Sequence, residues 1–205
     1  MATSGPFARP FVLYSVLSQA TRYSNMSGAM HYGDQFANRA LSLLPHEIRK
    51  GSSIPAIQGL LILSSRECAC GRTSEGWIHS GIAFRMMWDL GIHIPVKKLS
   101  HLQSHFSKEE LALRQQIFWS CYTWDKTMSL CLGRSPTIRT QMPAICPQDI
   151  LDGEKAETEI WTPKFGISSA FESGTWDQAK SNTRFSAHCE LCIVCQLYQH
   201  RAGFY

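Results

Sequence analysis

The chain has no apolar run long enough to cross a bilayer. Its longest, Ile54 to Leu63, contains Pro55, Gln58 and Gly59 and reaches about half of the roughly 20 residues a spanning helix needs. It has no basic tract either: Arg49-Lys50 and Lys97-Lys98 are the only adjacent basic pairs, and the net charge is a mild +4, so no nucleic-acid groove or nuclear import signal is written as a local pattern. The opening residues, Met1-Ala2-Thr3-Ser4-Gly5-Pro6, lack the basic start and apolar stretch of a secretory leader. These absences together predict an intracellular protein whose eight cysteines stay reduced.

The patterns of catalysis are missing too. There is no phosphate-cradling loop, no dinucleotide fingerprint and no pair of carboxylates in an apolar frame. His101 and His105 have helical i, i+4 spacing, but Leu102 stands where a zincin places its glutamate, and His46-Glu47 has no second histidine. Ile78, two residues before Ser80, replaces the first glycine of a nucleophile elbow. Cys189, Cys192 and Cys195 beside His188 resemble a metal set only superficially. On a helix their thiols spread over about a third of the circumference, and no nearby pair of ligands completes a tetrahedron, so they read as small apolar side chains. No enzyme site, cofactor site or metal site is expected.

What the chain does contain is helix signals, with no internal repeat and no useful strand-period alternation. Pro10 opens an apolar segment running towards Tyr23, and Asn25 to Gly28 break it. A second helix over about 29–44 puts Tyr32, Phe36, Ala40 and Leu43 on one face, with Pro45 and Gly51 bracketing the connection that follows. Ser53 caps a third that runs to Cys68, and a fourth over about 74–90 ends at Gly91, where a left-handed cap is expected. Ser107-Lys108-Glu109-Glu110 is a capping box before a long fifth helix ended by Gly133. Residues 139–183 read as a polar irregular loop, and 184–202 as a sixth helix. The fold class predicted is all-α, a single domain over 1–205 of about six helices in an antiparallel array with one long loop.

Charges set among apolar neighbours single out one constellation. Arg85 and Asp89 are four apart, and Asp125 lies among Cys121, Tyr122, Trp124 and Met128. A carboxylate there costs several kcal/mol unless it is paired. Arg85 and Arg134 are the expected partners of Asp125 in a buried network that fixes the helix crossing and pins the loop after Gly133. The aromatics Trp77, Phe84, Trp88, Phe118, Trp119 and Trp124 read as core, with a small-molecule pocket among them as the alternative.

Order and spacing then carry a resemblance. Gly76-Trp77, Gly81, Arg85-Met86 and Asp89-Leu90-Gly91-Ile92-His93 are followed by Phe118-Trp119, Tyr122, Asp125, Ser129 and Gly133-Arg134-Ser135-Pro136. The set, strongest over 57–138, resembles the regulatory domain of fungal zinc-cluster transcription factors, known as the middle homology region. Gln115-Gln116, Ser135 and Ile94 depart from its usual residues without disturbing the helical framework. The resemblance implies regulation of transcription in the nucleus, with other domains of a regulator or the transcription machinery as partners and a small-molecule effector or a protein-interaction role as the alternative. It also implies a six-cysteine zinc cluster that touches DNA, and no Cys-x-x-Cys pairs flanking a basic loop occur here. By this reading the chain is a regulatory-domain fragment, either a piece of a longer regulator or a short protein in its own right, and DNA reaches it only through a module it does not contain.

Overall fold

The structure, a computed structural model, describes residues 9–94, 106–139 and 191–192. Five α-helices follow one another: α1 (Pro10–Ala20), α2 (Ala29–Arg49), α3 (Ile54–Ala69), α4 (Thr73–Asp89) and α5 (Lys108–Leu132), with a 3-10 turn at Thr21–Tyr23. No strand occurs among the described residues, and the chain is all-α. The predicted sixth helix is seen only at residues 191 and 192, where Cys192 is buried and its Sγ lies 4.0 Å from the carbonyl oxygen of Thr123. The predicted polar loop and the other cysteines of the C-terminal trio lie outside the described residues, as do His101 and His105.

Local signals set most of the helix ends. Pro10 occupies the first turn of α1, where its missing N–H costs nothing. The Ser53 hydroxyl accepts the Ala56 amide at the start of α3. At α5 both halves of the capping box form, Glu110 N–H to Ser107 Oγ at 3.2 Å and Ser107 N–H to Glu110 Oε2 at 2.8 Å. Gly133 closes α5 in the left-handed region at φ 63°, a conformation that costs other residues about 1 kcal/mol or more.

Two expectations for α2 are corrected. The helix runs through Pro45 to Arg49 instead of stopping there. Pro45 is exposed, while Leu44 and Glu47 on the other side are buried, and Glu47 accepts from Arg9 at 3.0 Å and Lys50 at 2.9 Å. One backbone hydrogen bond is lost towards solvent and the anchored last turn persists. The buried face is also rotated. It carries Ala29, Gly33, Ala37, Ala40 and Leu44, leaving Tyr32 46% exposed, because small side chains let α1 approach closely. Aromatic periodicity pointed to the rim of that contact, where Phe36 stacks on Tyr14 at 6.2 Å.

Residue pairings give the topology. Phe11 faces Gly59 and the Ser18 carbonyl meets Arg66, both 48 positions apart, so α1 and α3 run in the same direction. Ser64 meets Trp124 and Cys68 meets Met128, both 60 apart, so α5 is parallel to α3. Sequential neighbours are antiparallel, as predicted for short connections. The array is thus two hairpins side by side, α1–α2 and α3–α4, with α5 laid against the second. The chain packs tightly at Gly33, Gly59 and Gly76, where an added Cβ would collide with Thr21 Oγ1, with the Phe11 ring and with Cys68 Sγ respectively.

Candidate functional site

The residues around the end of α5 form the most constrained polar region. Asp125 and Lys126 are both fully buried. The Asp125 carboxylate accepts the Thr137 amide on Oδ1 at 2.9 Å and the Ile138 amide on Oδ2 at 2.9 Å. Lys126 Nζ lies 3.2 Å from Asp125 Oδ2, donates to the Ile138 carbonyl, and sits 4.9 Å from the centre of the Tyr122 ring. Adjacent helical side chains diverge by about 100°. The two charges meet because the segment after Gly133 is folded back between them. Burial pushes the Lys126 ammonium below its usual range, with Asp125 opposing that shift.

The expected arginine network is therefore replaced by a lysine and two backbone amides. Arg134 instead lies over the Trp77 ring at 5.1 Å, while Arg85 is exposed and lies over Trp88 at 5.8 Å. Asp89 is exposed as well, and no ion pair joins it to Arg85. The physical reason is depth: Arg85 and Asp89 sit on the outward face of α4, opposite Ala83, Phe84 and Met87, and solvate their own charges. Lys126 escaped notice in the sequence because nothing in its spacing marks it as inward. Its only signal was its place beside Asp125.

A second lock joins the other helices. Arg66, fully buried, donates from Nη1 to the Ser18 carbonyl at 2.8 Å and from Nη2 to Asp34 Oδ1 at 2.6 Å, linking α3 to α1 and α2. Its neighbour Glu67 accepts from Arg72 Nε, and that bond raises the Arg72 pKa. Arg66 Nε is buried without a partner of its own, but the two bonded nitrogens of Arg66 and the Asp125–Lys126 pair each hold more than one element in position.

The buried thiols among the described residues are poorly suited to nucleophilic chemistry. Burial pushes the Cys121 thiol far up, with Asp125 adding to the effect, and burial likewise raises Cys68. A zinc ion needs about four converging N or S donors, and no three His, Cys, Asp or Glu converge among the described residues. The described cysteines accordingly do not fit a zinc cluster. The aromatics do not enclose a common pocket: Phe84, Phe118 and Trp119 are core, Trp77 and Trp88 carry arginines, and the Trp124 indole donates to Ser64 Oγ at 2.8 Å.

Comparison with known proteins agrees with this scaffold-like site. Residues 2–173 match the fungal specific transcription factor domain. The chain belongs to that family. It is 37% identical over 132 residues to the nitrogen assimilation transcription factor nirA of Emericella nidulans, which is 64% of this chain and 14% of nirA. An uncharacterized transcriptional regulatory protein of Schizosaccharomyces pombe is 32% identical over 179 residues, covering 83% of this chain and 28% of that protein. The nitrogen assimilation transcription factor nit-4 of Neurospora crassa is 31% identical over 132 residues, covering 64% of this chain and 11% of nit-4. The matched region is thus a minor part of each relative's length. No solved structure matches. A fungal transcription factor regulatory domain is the function the family assigns, and the relatives are named as transcription factors or regulators, not as enzymes.

Proposed function

We propose that this domain tunes a nuclear transcriptional regulator by packing against other protein surfaces of that regulator or its partners, with DNA contact left to a separate module. One observation carries the reading. Helix α1 buries Phe11 together with Ser15 and Ser18, each hydroxyl donating to a carbonyl of its own helix, while Leu13 and Val16 are 48% and 44% exposed. Leu13, Val16 and Ala20, spaced by three and four, all face solvent, and Leu17 beside them is half-buried. A helix apolar on its outer side as well as its inner side fits one that is covered on both.

The test is a reporter in which the full chain is placed between a heterologous DNA-binding module and an activation domain. Leu13→Glu with Val16→Glu keeps the inner face of α1 intact and leaves the helical spectrum unchanged, and it shifts reporter output at least severalfold. Unchanged output from the folded double variant refutes the docking role. Saturable, sequence-dependent retention of duplex DNA by the chain alone refutes the separation from DNA contact.

A further inference from the structure

Between the parallel helices α3 and α5, at the end of α1, lies a groove of about 350 Å³, within the range of small-molecule sites. Leu61 and Ile62 form the α3 wall, Trp124 forms the α5 wall, and Gln19 closes the α1 end. The Trp124 ring is not free to swing into the space, because its indole N–H is held by Ser64 Oγ at 2.8 Å.

Three of the polar groups around the groove offer acceptors. None of its eight lining side chains carries a charge. Ser120 Oγ spends its hydrogen on the Gln116 carbonyl at 2.8 Å, and Thr123 Oγ spends its own on the Trp119 carbonyl at 2.9 Å, so both present lone pairs only. Gln19 Oε1 is buried with no hydrogen-bond partner. A buried acceptor left unmet is destabilising. These three groups ask for donors, and with no carboxylate among its side chains the groove does not select a cation.

We propose that this groove binds an uncharged small molecule that donates an amide N–H to Gln19 Oε1 and lays an apolar or aromatic body against Trp124, Leu61 and Ile62. Such a ligand touches α1, α3 and α5 at once. The site is separable from the α1 docking face, because Gln19 lies beyond Leu13 and Val16 along the helix and is half-buried where they are exposed.

The experiment is a titration of the full chain followed by ¹H–¹⁵N NMR, reading the Trp124 indole N–H, which is assigned by its loss in Trp124→Phe. Two probes are compared: benzamide, which carries the donor, and N,N-dimethylbenzamide, which keeps the ring and the carbonyl but has no N–H. The expected result is a saturable shift of the Trp124 signal, with benzamide bound roughly tenfold more tightly, as one lost hydrogen bond implies. Gln19→Met, close in shape and lacking the acceptor, removes the preference for benzamide. Absence of a saturable Trp124 shift, equal binding of the two probes, or a preference that survives Gln19→Met each overturns the proposal. These outcomes leave the reporter test of Leu13 and Val16 untouched, so the two readings fail separately.

Discussion

Replacing Asp125 by alanine tests the buried pair directly. The substitution leaves the Lys126 ammonium fully buried with its counter-charge gone, and strips the Thr137 and Ile138 amides of their acceptor. Breaking one side of a buried pair costs about 3–5 kcal/mol, a large share of the roughly 5–15 kcal/mol that holds a domain of ordinary stability. Asp125→Asn keeps one acceptor oxygen and loses the charge, so its cost is smaller, about 1.5–3 kcal/mol. Lys126→Met removes the other charge. The carboxylate keeps its two amides but loses the ammonium, and the Ile138 carbonyl loses a donor, so this variant is also destabilising, though less than Asp125→Ala because both amides stay satisfied. Urea unfolding of each variant and of Asp125→Asn/Lys126→Met measures the coupling, and the double variant is more stable than the sum of its parts predicts. An Asp125→Ala cost below about 1 kcal/mol, or a Lys126→Met cost as large as that of Asp125→Ala, refutes the assignment of a charge pair locked by the returning loop.

Gly76→Ala forces a Cβ onto Cys68 Sγ and to 2.9 Å from the Ser64 carbonyl oxygen; since backbone yields little, thermal unfolding shows a loss of about 1–3 kcal/mol. Gly81→Ala on the same helix meets nothing within 4 Å and stabilises by about 0.5–1 kcal/mol, so a loss there contradicts the α4 packing described. Ser107→Ala removes the reciprocal cap of α5 and lowers stability by about 0.5–2 kcal/mol in the same assay. Burial holds the His79 and His93 imidazoles below their ordinary value of 6.5, with Glu67 and Glu75 pulling His79 the other way. The unfolded chain therefore takes up protons first as pH falls through that value, and stability drops from there towards the folded-state pKa. His79→Gln flattens that slope between pH 7 and 6 in unfolding midpoints, and an unchanged slope counts against burial as its cause.

The helices were legible because their ends are chemical statements: the Ser53 cap, the Ser107/Glu110 box and the glycines at 91 and 133 act within one turn of chain and owe little to tertiary context. The orientation of α2 was less so. Its inward face is marked by small residues that matter only once α1 lies against them, and a hydrophobic pattern weights Tyr32 and Phe36 above Gly33 and Ala37. Pro45 misled for a similar reason, since its cost depends on whether it faces solvent. At the α5 site the sequence exposed Asp125 as an apolar-framed carboxylate needing a partner, and pointed to the loop after Gly133. It did not supply the partner, because a backbone amide has no letter in the sequence and Lys126 looks like any surface lysine. The groove has no trace in the sequence, because its acceptor character follows from where the hydrogens of Ser120 and Thr123 go.

The two polar locks and the groove are related through the chain. Gln19 directly follows Ser18, whose carbonyl receives Arg66, and Trp124 directly precedes Asp125, whose carboxylate holds the returning loop. Gln19 and Trp124 are therefore each one peptide bond from a fixed point. Buried ion pairs contribute little net stability against apolar replacements, and what they supply where they persist is a single geometry. On that argument Asp125→Asn and Arg66→Met should widen the range of groove shapes even where the fold survives, so benzamide binding weakens in both without any change to a residue that lines the groove. Binding that stays at the wild-type level in a folded Asp125→Asn variant would show that the locks serve the fold alone.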